Sequence, residues 1–369
     1  MIPLSRPYID DDDIKAVTET LRSGSLSLGP KVQEFEQEFA RTIGTRHAVA
    51  VANGTCGLHL CMRMLGLRPG DEVITTPFSF IASANCILYE QAKPVFADID
   101  ETTFNIDPAK IEEKITPRTK AILPVHIFGL PAEMDSIMEI AERHNLVVVE
   151  DAAEAIGAEY NGRRKGSAGT FGLASVFAFY PNKQMTTGEG GMICTDDERT
   201  AQQARSLRNQ GRAEGDEWLS HEQIGYNYRL SDISCALGLS QLKKIGFLLK
   251  EREKVAAMYG KALSGTQGLE LPAETKHRRS WFVYVVRLNK KINREKVIEL
   301  LKKKGIQTRP YLPAIHLQPA YRKLGYKAGT LPVCEAVSGS TLALPFYTGM
   351  PHGEVEAVAE ALKEVLYKA

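Results

Sequence analysis

The chain has 369 residues, with 46 basic against 45 acidic side chains and a formal net charge of +1. That balance gives no electrostatic case for nucleic acid or a charged membrane, and no apolar run approaches the ~20 residues of a membrane span. The N-terminal MIPLSRPYIDDDD lacks the basic flank and apolar core of an export signal, and six cysteines are scattered without a CxxC pair. The expectation is a cytoplasmic protein with buried, reduced thiols and no metal site.

Asp10–Asp13 precede a helical pattern (Ile14, Val17, Leu21) that stops at Gly24, with the acids at the positive helix end. After the turn SGSLSLGP, Pro30 opens a helix with a stripe of Val32, Phe35 and Phe39, closed at Gly44. From His47 to Asp151 short strands alternate with helices. The strands are Ala48–Ala52, Glu72–Thr76, Pro94–Asp98, Lys120–His126 and Leu146–Glu150. The helices are Thr55–Leu65, Ser79–Tyr89, Pro108–Lys114 and Glu133–His144. This alternation predicts βαβ units, hence an α/β fold with a mostly parallel sheet covered by helices on both faces. Residues 1–245 are assigned to that large domain and 246–369 to a smaller α+β domain.

Three stretches carry chemistry. Asn53–Gly54–Thr55 ends a strand and enters a helix, where free backbone N–H groups suit a phosphate or simply a capped turn. LVVVEDAAEAIGAEY runs an apolar strand into Glu150 and Asp151, at the carboxyl end where open α/β sheets bind ligands. ASVFAFYPNKQMTTGEGGMICT places Lys183 in a turn between apolar strands (Ala174–Tyr180 and Met192–Thr195), followed by a Gly-rich hinge. Apolar surroundings disfavour an ammonium and supply the neutral amine that a Schiff base needs. A Schiff-base lysine preceded by an acid is the pair that pyridoxal 5'-phosphate (PLP) enzymes require, the acid keeping the ring nitrogen protonated. The plainer alternative for the lysine stretch is a surface hairpin.

On NGTCGLHL, EDAAEAIGA, NKQMTTGEGG, YNYRLSD and TRPYLPAIH, spread nearly end to end, the chain resembles the DegT/DnrJ/EryC1/StrS family of sugar aminotransferases. The resemblance implies the type I PLP fold of aspartate aminotransferase, with Lys183 as the Schiff-base lysine and Asp151 as the acid. It implies a phosphate turn at Gly54 and Thr55, Phe80 stacking on the cofactor ring, and an early turn at the mouth of the active site. Asn227 matches an asparagine that reaches the cofactor phosphate of a neighbouring subunit, which implies a homodimer with shared active sites. Arg309, Tyr311 and His316 match positions near the sugar nucleotide, and Arg229 is a candidate for holding an acidic group or a plain surface arginine. Basic His277–Arg279 reads as a solvated run, with a diphosphate contact as the alternative.

Two positions depart from the family pattern. Glu154 stands where a glutamine usually donates to the cofactor's phenolic oxygen, and an ionised carboxylate can only accept. Ala178 stands where a serine usually binds the phosphate, leaving that shell one donor short. Farther on, Asp197–Asn209 reads as a helix, Gly211–His221 as a polar loop, and Leu248–Leu263 as a helix leading into the small domain. There a strand (Trp281–Leu288), a helix (Arg294–Lys304), a short strand ending at Arg309, a Pro-broken loop and a final helix (Glu354–Leu366) are predicted.

The resemblance implies transamination of a nucleotide-linked keto-sugar, with L-glutamate as donor and 2-oxoglutarate as its product, in surface-polysaccharide or amino-sugar synthesis. EDAAEAIGA, NKQMTTGEGGM and LRNQG are similar to the perosamine-type branch, hence a 4-keto-6-deoxyhexose, although Ala178 departs from that branch too. The alternatives are a 3-keto-sugar aminotransferase and a non-catalytic regulatory protein on the same fold. Lys183 stands against a sugar dehydratase, which carries histidine there, and a cysteine desulfurase would want a histidine just before the lysine.

Overall fold

A computed structural model describes residues 1–161, 167–212 and 220–368. Its centre is a seven-stranded sheet built from β1 (His47–Val51), β2 (Glu72–Thr75), β3 (Lys93–Phe96), β4 (Thr119–Leu123), β5 (Val147–Asp151), β6 (Ala174–Ala178) and β7 (Gly191–Thr195). The strand order is β1-β7-β6-β5-β4-β2-β3, and every pairing is parallel except the two made by β7. Strands such as β2 (EVIT) are buried throughout because helices cover both faces, as parallel sheets require. The helices of this part are α1 (Asp11–Ser23), α2 (Pro30–Ile43), α3 (Gly54–Met64), α4 (Ala82–Tyr89), α5 (Pro108–Glu112), α6 (Met134–Arg143), α7 (Glu198–Arg208), α8 (Asp232–Lys243) and α9 (Ile245–Leu263).

The N-terminal helices are tied to the sheet by polar caps and an aromatic seam. Asp10 and Asp13 form a reciprocal capping box on α1, and Lys244 pairs with both carboxylates. The Asp232 carboxylate accepts the N–H groups of Gly29 and Lys31 at 2.7 and 2.9 Å, fixing the start of α2 against α8. Phe35 and Phe39 of α2 then meet Phe177 and Phe179 around β6, with ring centroids 5.3–5.5 Å apart. This packing holds rigid the strand that leads to Lys183.

The second sheet is antiparallel, in the order β10-β11-β9-β8, from β8 (Leu269–Glu270), β9 (Tyr284–Leu288), β10 (Arg309–Pro310) and β11 (Thr341–Leu344). With it lie α10 (Arg294–Lys303), α11 (Pro319–Lys323), α12 (Pro332–Ser340) and α13 (His352–Leu366). The sequence reading missed α12 and β11, although β11 is fully buried between β10 and β9. Its four residues, Thr341–Leu344, follow directly on a helix and are too short a run to show a strand period of their own. The chain start joins this region: Ile2 bridges Ile306, and the Leu4 carbonyl accepts the Phe346 N–H at 2.9 Å. Of the predicted loop Gly211–His221, residues 213–219 lie outside the described residues.

Candidate active site

The site forms where β5 ends, β6 turns into β7, and α3 and α4 begin. Lys183 lies in the β6–β7 turn, its N–H bonded to the Tyr180 carbonyl at 2.9 Å. Its Nζ sits 4.0 Å from the centre of the Phe282 ring and 3.4 Å from Glu154 Oε1. Arg252 of α9 fixes this arrangement from behind, donating to the Lys183 carbonyl at 2.9 Å and the Phe282 carbonyl at 3.1 Å. Buried without a carboxylate, its guanidinium is pushed down to about 10.

Asp151, the last residue of β5, is buried. Its Oδ2 accepts the Ser83 hydroxyl at 2.7 Å and its Oδ1 accepts the Ala153 N–H at 3.1 Å. Burial pushes its carboxyl up from the usual range, against those hydrogen bonds and the nearby charges of Lys183 and His126. Glu154 is raised too, again chiefly by burial, with the Lys183 amine pulling the other way. Its Oε2 accepts the Phe128 N–H at 2.8 Å. Phe128 has φ 52 and the next residue, Gly129, has φ 76; a Cβ on Gly129 would fall 1.7 Å from the Ser280 carbonyl oxygen. Only glycine fits there, so the turn that aims the Phe128 N–H at Glu154 is fixed by close backbone packing. Glu154 thus faces both the lysine amine and a backbone donor.

Gly54 and Thr55 open α3, and their N–H groups have no partner within the helix. Asn53 caps the turn by accepting the Cys56 N–H at 2.8 Å. A Cβ on Gly54 would lie 2.8 Å from the Ala178 Cβ, so this turn closes tightly onto β6. The small residue at 178 therefore belongs to a cradle shaped by contact. Phe80 precedes α4, which starts at Ala82 rather than at the predicted Ser79, and the residue is 63 % exposed.

Other predicted residues divide. Tyr311 joins the lysine compartment: its ring lies 5.7 Å from Phe128 and 6.2 Å from Phe282, and burial together with Glu154 pushes its hydroxyl up. Asn227 is exposed, bridging Asn209 beside the C-terminal end of β1, where Ala52 donates to the Tyr228 carbonyl at 2.8 Å. Arg229 is spent on Asn209 and Gln210 side chains at 2.9 and 3.2 Å. Arg309 is exposed on edge strand β10.

The structure corrects two readings. His316 is fully enclosed, its Nε2 bonded to Glu335 at 3.0 Å and its ring beside Phe96, so it is a packed internal residue rather than a sugar contact. Of His277–Arg279, read as a solvated run, Arg278 alone is exposed. His277 stacks on Tyr160 and meets Glu133, Arg278 pairs with Glu159 and Glu253, and Arg279 lies over Trp281 with burial pushing it down to about 10.

Sequence reasoning missed Ser83, Phe128, Arg252 and Phe282, none of which carries a local motif. The one available signal was the SFIAS run after β2, which brings Ser79 and Ser83 onto one side of a helix start. A cleft of about 940 Å³ among α1, α2 and α8 contains neither Lys183 nor Asp151, so the chemistry rather than the volume locates the site. Among the described residues no cluster of His, Cys, Asp or Glu is arranged for a metal ion, and no helix is long and apolar enough to cross a membrane.

The cradle fits PLP by its donor set: an amine on one carboxylate with a second close enough to feel its charge, open N–H groups at a helix start, and an exposed aromatic residue. Comparison with known proteins agrees. Residues 7–363 match the DegT/DnrJ/EryC1/StrS aminotransferase family. The chain is 42 % identical to the spore coat polysaccharide biosynthesis protein SpsC of Bacillus subtilis, over 99 % of this chain and 97 % of that protein. It is 40 % identical to GDP-perosamine synthase of Caulobacter vibrioides, over 99 % of this chain and 98 % of that one. The PLP form of Spr1654 from Streptococcus pneumoniae superposes with a TM-score of 0.94 at 29 % identity, covering 100 % of this chain and 99 % of that one. With a match that takes in almost the whole sequence, the chain belongs to the DegT/DnrJ/EryC1/StrS family and is a PLP-dependent sugar aminotransferase.

Proposed function

We propose that this enzyme moves an amino group from L-glutamate onto the ketone of a nucleotide-linked 4-keto-6-deoxyhexose, in the synthesis of an amino sugar for a surface polysaccharide. The observation that carries the reading is the convergence of Lys183, Asp151 and Glu154 in one compartment at the carboxyl end of the sheet. The choice of sugar is supported by the 40 % identity to GDP-perosamine synthase, and the setting by the 42 % identity to SpsC.

In this reading Lys183 Nζ holds the cofactor aldehyde, Asp151 meets the ring nitrogen, Phe80 covers the ring face, and Gly54 and Thr55 bind the phosphate. Bound PLP supplies an electron sink that loosens the bonds to the reacting carbon. Lys183 would move the proton at that carbon through Nζ, which Phe282 and Glu154 hold in one direction. Glu154, favoured as the acid by burial, can present an O–H to the phenolic side of the cofactor while Phe128 occupies its other oxygen. Tyr311 closes the compartment on the small-sheet side, and the exposed Arg309 is the basic residue we assign to the sugar nucleotide. The exposed Asn227 completes the phosphate site of a second copy, so the active unit is a homodimer. Glutamate and the sugar take turns in one site, which gives ping-pong kinetics.

The test is to incubate the protein with PLP, glutamate and a panel of nucleotide keto-sugars, and to weigh the products. Amination of a 4-keto-6-deoxyhexose supports the proposal; amination of 3-keto-sugars alone overturns the choice of carbon.

A further inference from the structure

The helix start that carries Phe80 also sends two hydroxyls inward. Ser83, in the first turn of α4, lies with its Oγ 2.7 Å from Asp151 Oδ2, and Ser79 Oγ lies 2.8 Å from Ser83 Oγ. All three side chains are buried, so water does not substitute for any of these bonds. We propose that Ser83 is a positioning residue for Asp151, the chain Ser79–Ser83–Asp151 holding the orientation and the negative charge of the carboxylate that meets the cofactor ring.

Donor bookkeeping supports this. A serine hydroxyl has one proton and two acceptor sites. Against an ionised Asp151, Ser83 donates to the carboxylate and Ser79 donates to Ser83, so every member is satisfied. The 2.7 Å contact falls in the range of a charge-assisted O–H···O⁻ bond. Were Asp151 protonated, it would donate to Ser83, whose proton would turn to Ser79 Oγ at 2.8 Å or to the Phe80 carbonyl at 3.2 Å. With the charge in place, Ser83 gives its one proton to Asp151 over the shortest of its contacts, 2.7 Å. Other groups act on Asp151 from each neighbouring element: Lys183 from the β6–β7 turn, His126 after β4, Glu154 after β5 and Cys86 from α4. His126 is occupied elsewhere, its Nε2 on Glu150 at 2.9 Å and its Nδ1 accepting the Ala132 N–H at 3.1 Å. Ser83 is therefore the side chain that donates directly to Asp151 among the described residues. The same helix turn that presents Phe80 to the ring face thereby also sets the charge at the ring nitrogen.

The inference rests on the reading that Asp151 meets the PLP ring nitrogen. The experiment is a titration of PLP into the cofactor-free full-length protein from pH 5 to 8, followed by cofactor absorbance, for the parent, Ser83→Ala, Ser83→Thr, Ser79→Ala and Asp151→Ala. Removing a donor to the ionised form raises the pKa of Asp151, so tight binding should be lost at a higher pH. The acid midpoint of Ser83→Ala is expected to rise by about one pH unit, the shift corresponding to loss of one hydrogen bond to a charged group. Ser83→Thr keeps a hydroxyl and should restore the parent midpoint; Ser79→Ala should shift it the same way by less. A merely structural role would weaken binding equally at every pH. A parent midpoint in Ser83→Ala overturns the inference, as does an unshifted Ser79→Ala if Ser83→Ala does not fold. If Asp151→Ala binds PLP with the parent's pH dependence, the underlying reading of Asp151 fails as well, which separates the two failures.

Discussion

Two parts of the molecule offered the sequence reader similar promise and delivered differently. At the carboxyl end of the large sheet, Asp151 and Lys183 come from separate strand ends and arrive in one compartment with Glu154. From edge strand β10 into the loop that follows it, Arg309, Tyr311 and His316 sit close in sequence and disperse: one exposed, one facing the lysine, one enclosed against Glu335. A strand end in a parallel sheet has its direction fixed by the ladder, so a carboxylate there has few places to point. A Pro-broken loop has no ladder, and each side chain takes the orientation its own neighbours allow.

The comparison can be broken most sharply at the sheet. Asp151→Ala is expected to lower kcat by ~10³-fold or more, because the charge proposed to balance the cofactor ring is lost. Near-normal turnover in that variant, measured with any accepted keto-sugar, would remove the strand-end argument.

The loop offers a contrasting pair. Tyr311→Phe should lower kcat/KM for the sugar by roughly tenfold, the cost of one hydroxyl in a closed site, as read by steady-state kinetics. His316→Ala should instead cost about 2 kcal/mol of stability in a denaturant titration and leave the KM of both substrates alone. A raised sugar KM in folded His316→Ala would put this histidine back among the substrate contacts.

The smallest expected effect separates the two acids of the site. Burial raises Glu154 above its ordinary value, so between that value and the raised one the folded state holds more protons than the unfolded one. Its contribution to stability is then present at low pH and lost as pH rises through that window. Gln at 154 cannot ionise and escapes that loss. The Tm of cofactor-free Glu154→Gln, relative to the parent, should therefore climb by a few degrees at most between acid and neutral pH. A flat or falling difference would mean that the lysine amine, and not burial, governs this carboxyl.

The same contrast explains what could be read in advance. The alternation of strands and helices was visible because each element carries its own period, and the apolar run into Glu150 and Asp151 announced a central strand. Glu150 shows the limit of that signal. It takes three backbone N–H groups, from Gly169, Phe171 and Gly172, and the ring of His126, and is wholly structural. Adjacent acids at one strand end thus divide between architecture and chemistry, a choice made by which face each points to. Arg252 and Phe282 were not legible because their importance comes from partners far along the chain. An arginine in an amphipathic helix looks solvated until the fold buries it. β11 was missed for a related reason, since a short apolar run gains its meaning from the strands on either side.

Arg252 has one more consequence. Its guanidinium joins the backbone of Lys183 to that of Phe282, so the lysine turn and a helix remote in sequence form a single mechanical part. The turn is accordingly not a portable cassette. Grafted onto another scaffold without the α9 arginine, the same residues would leave two carbonyls unheld and the amine free to wander from its aromatic rest.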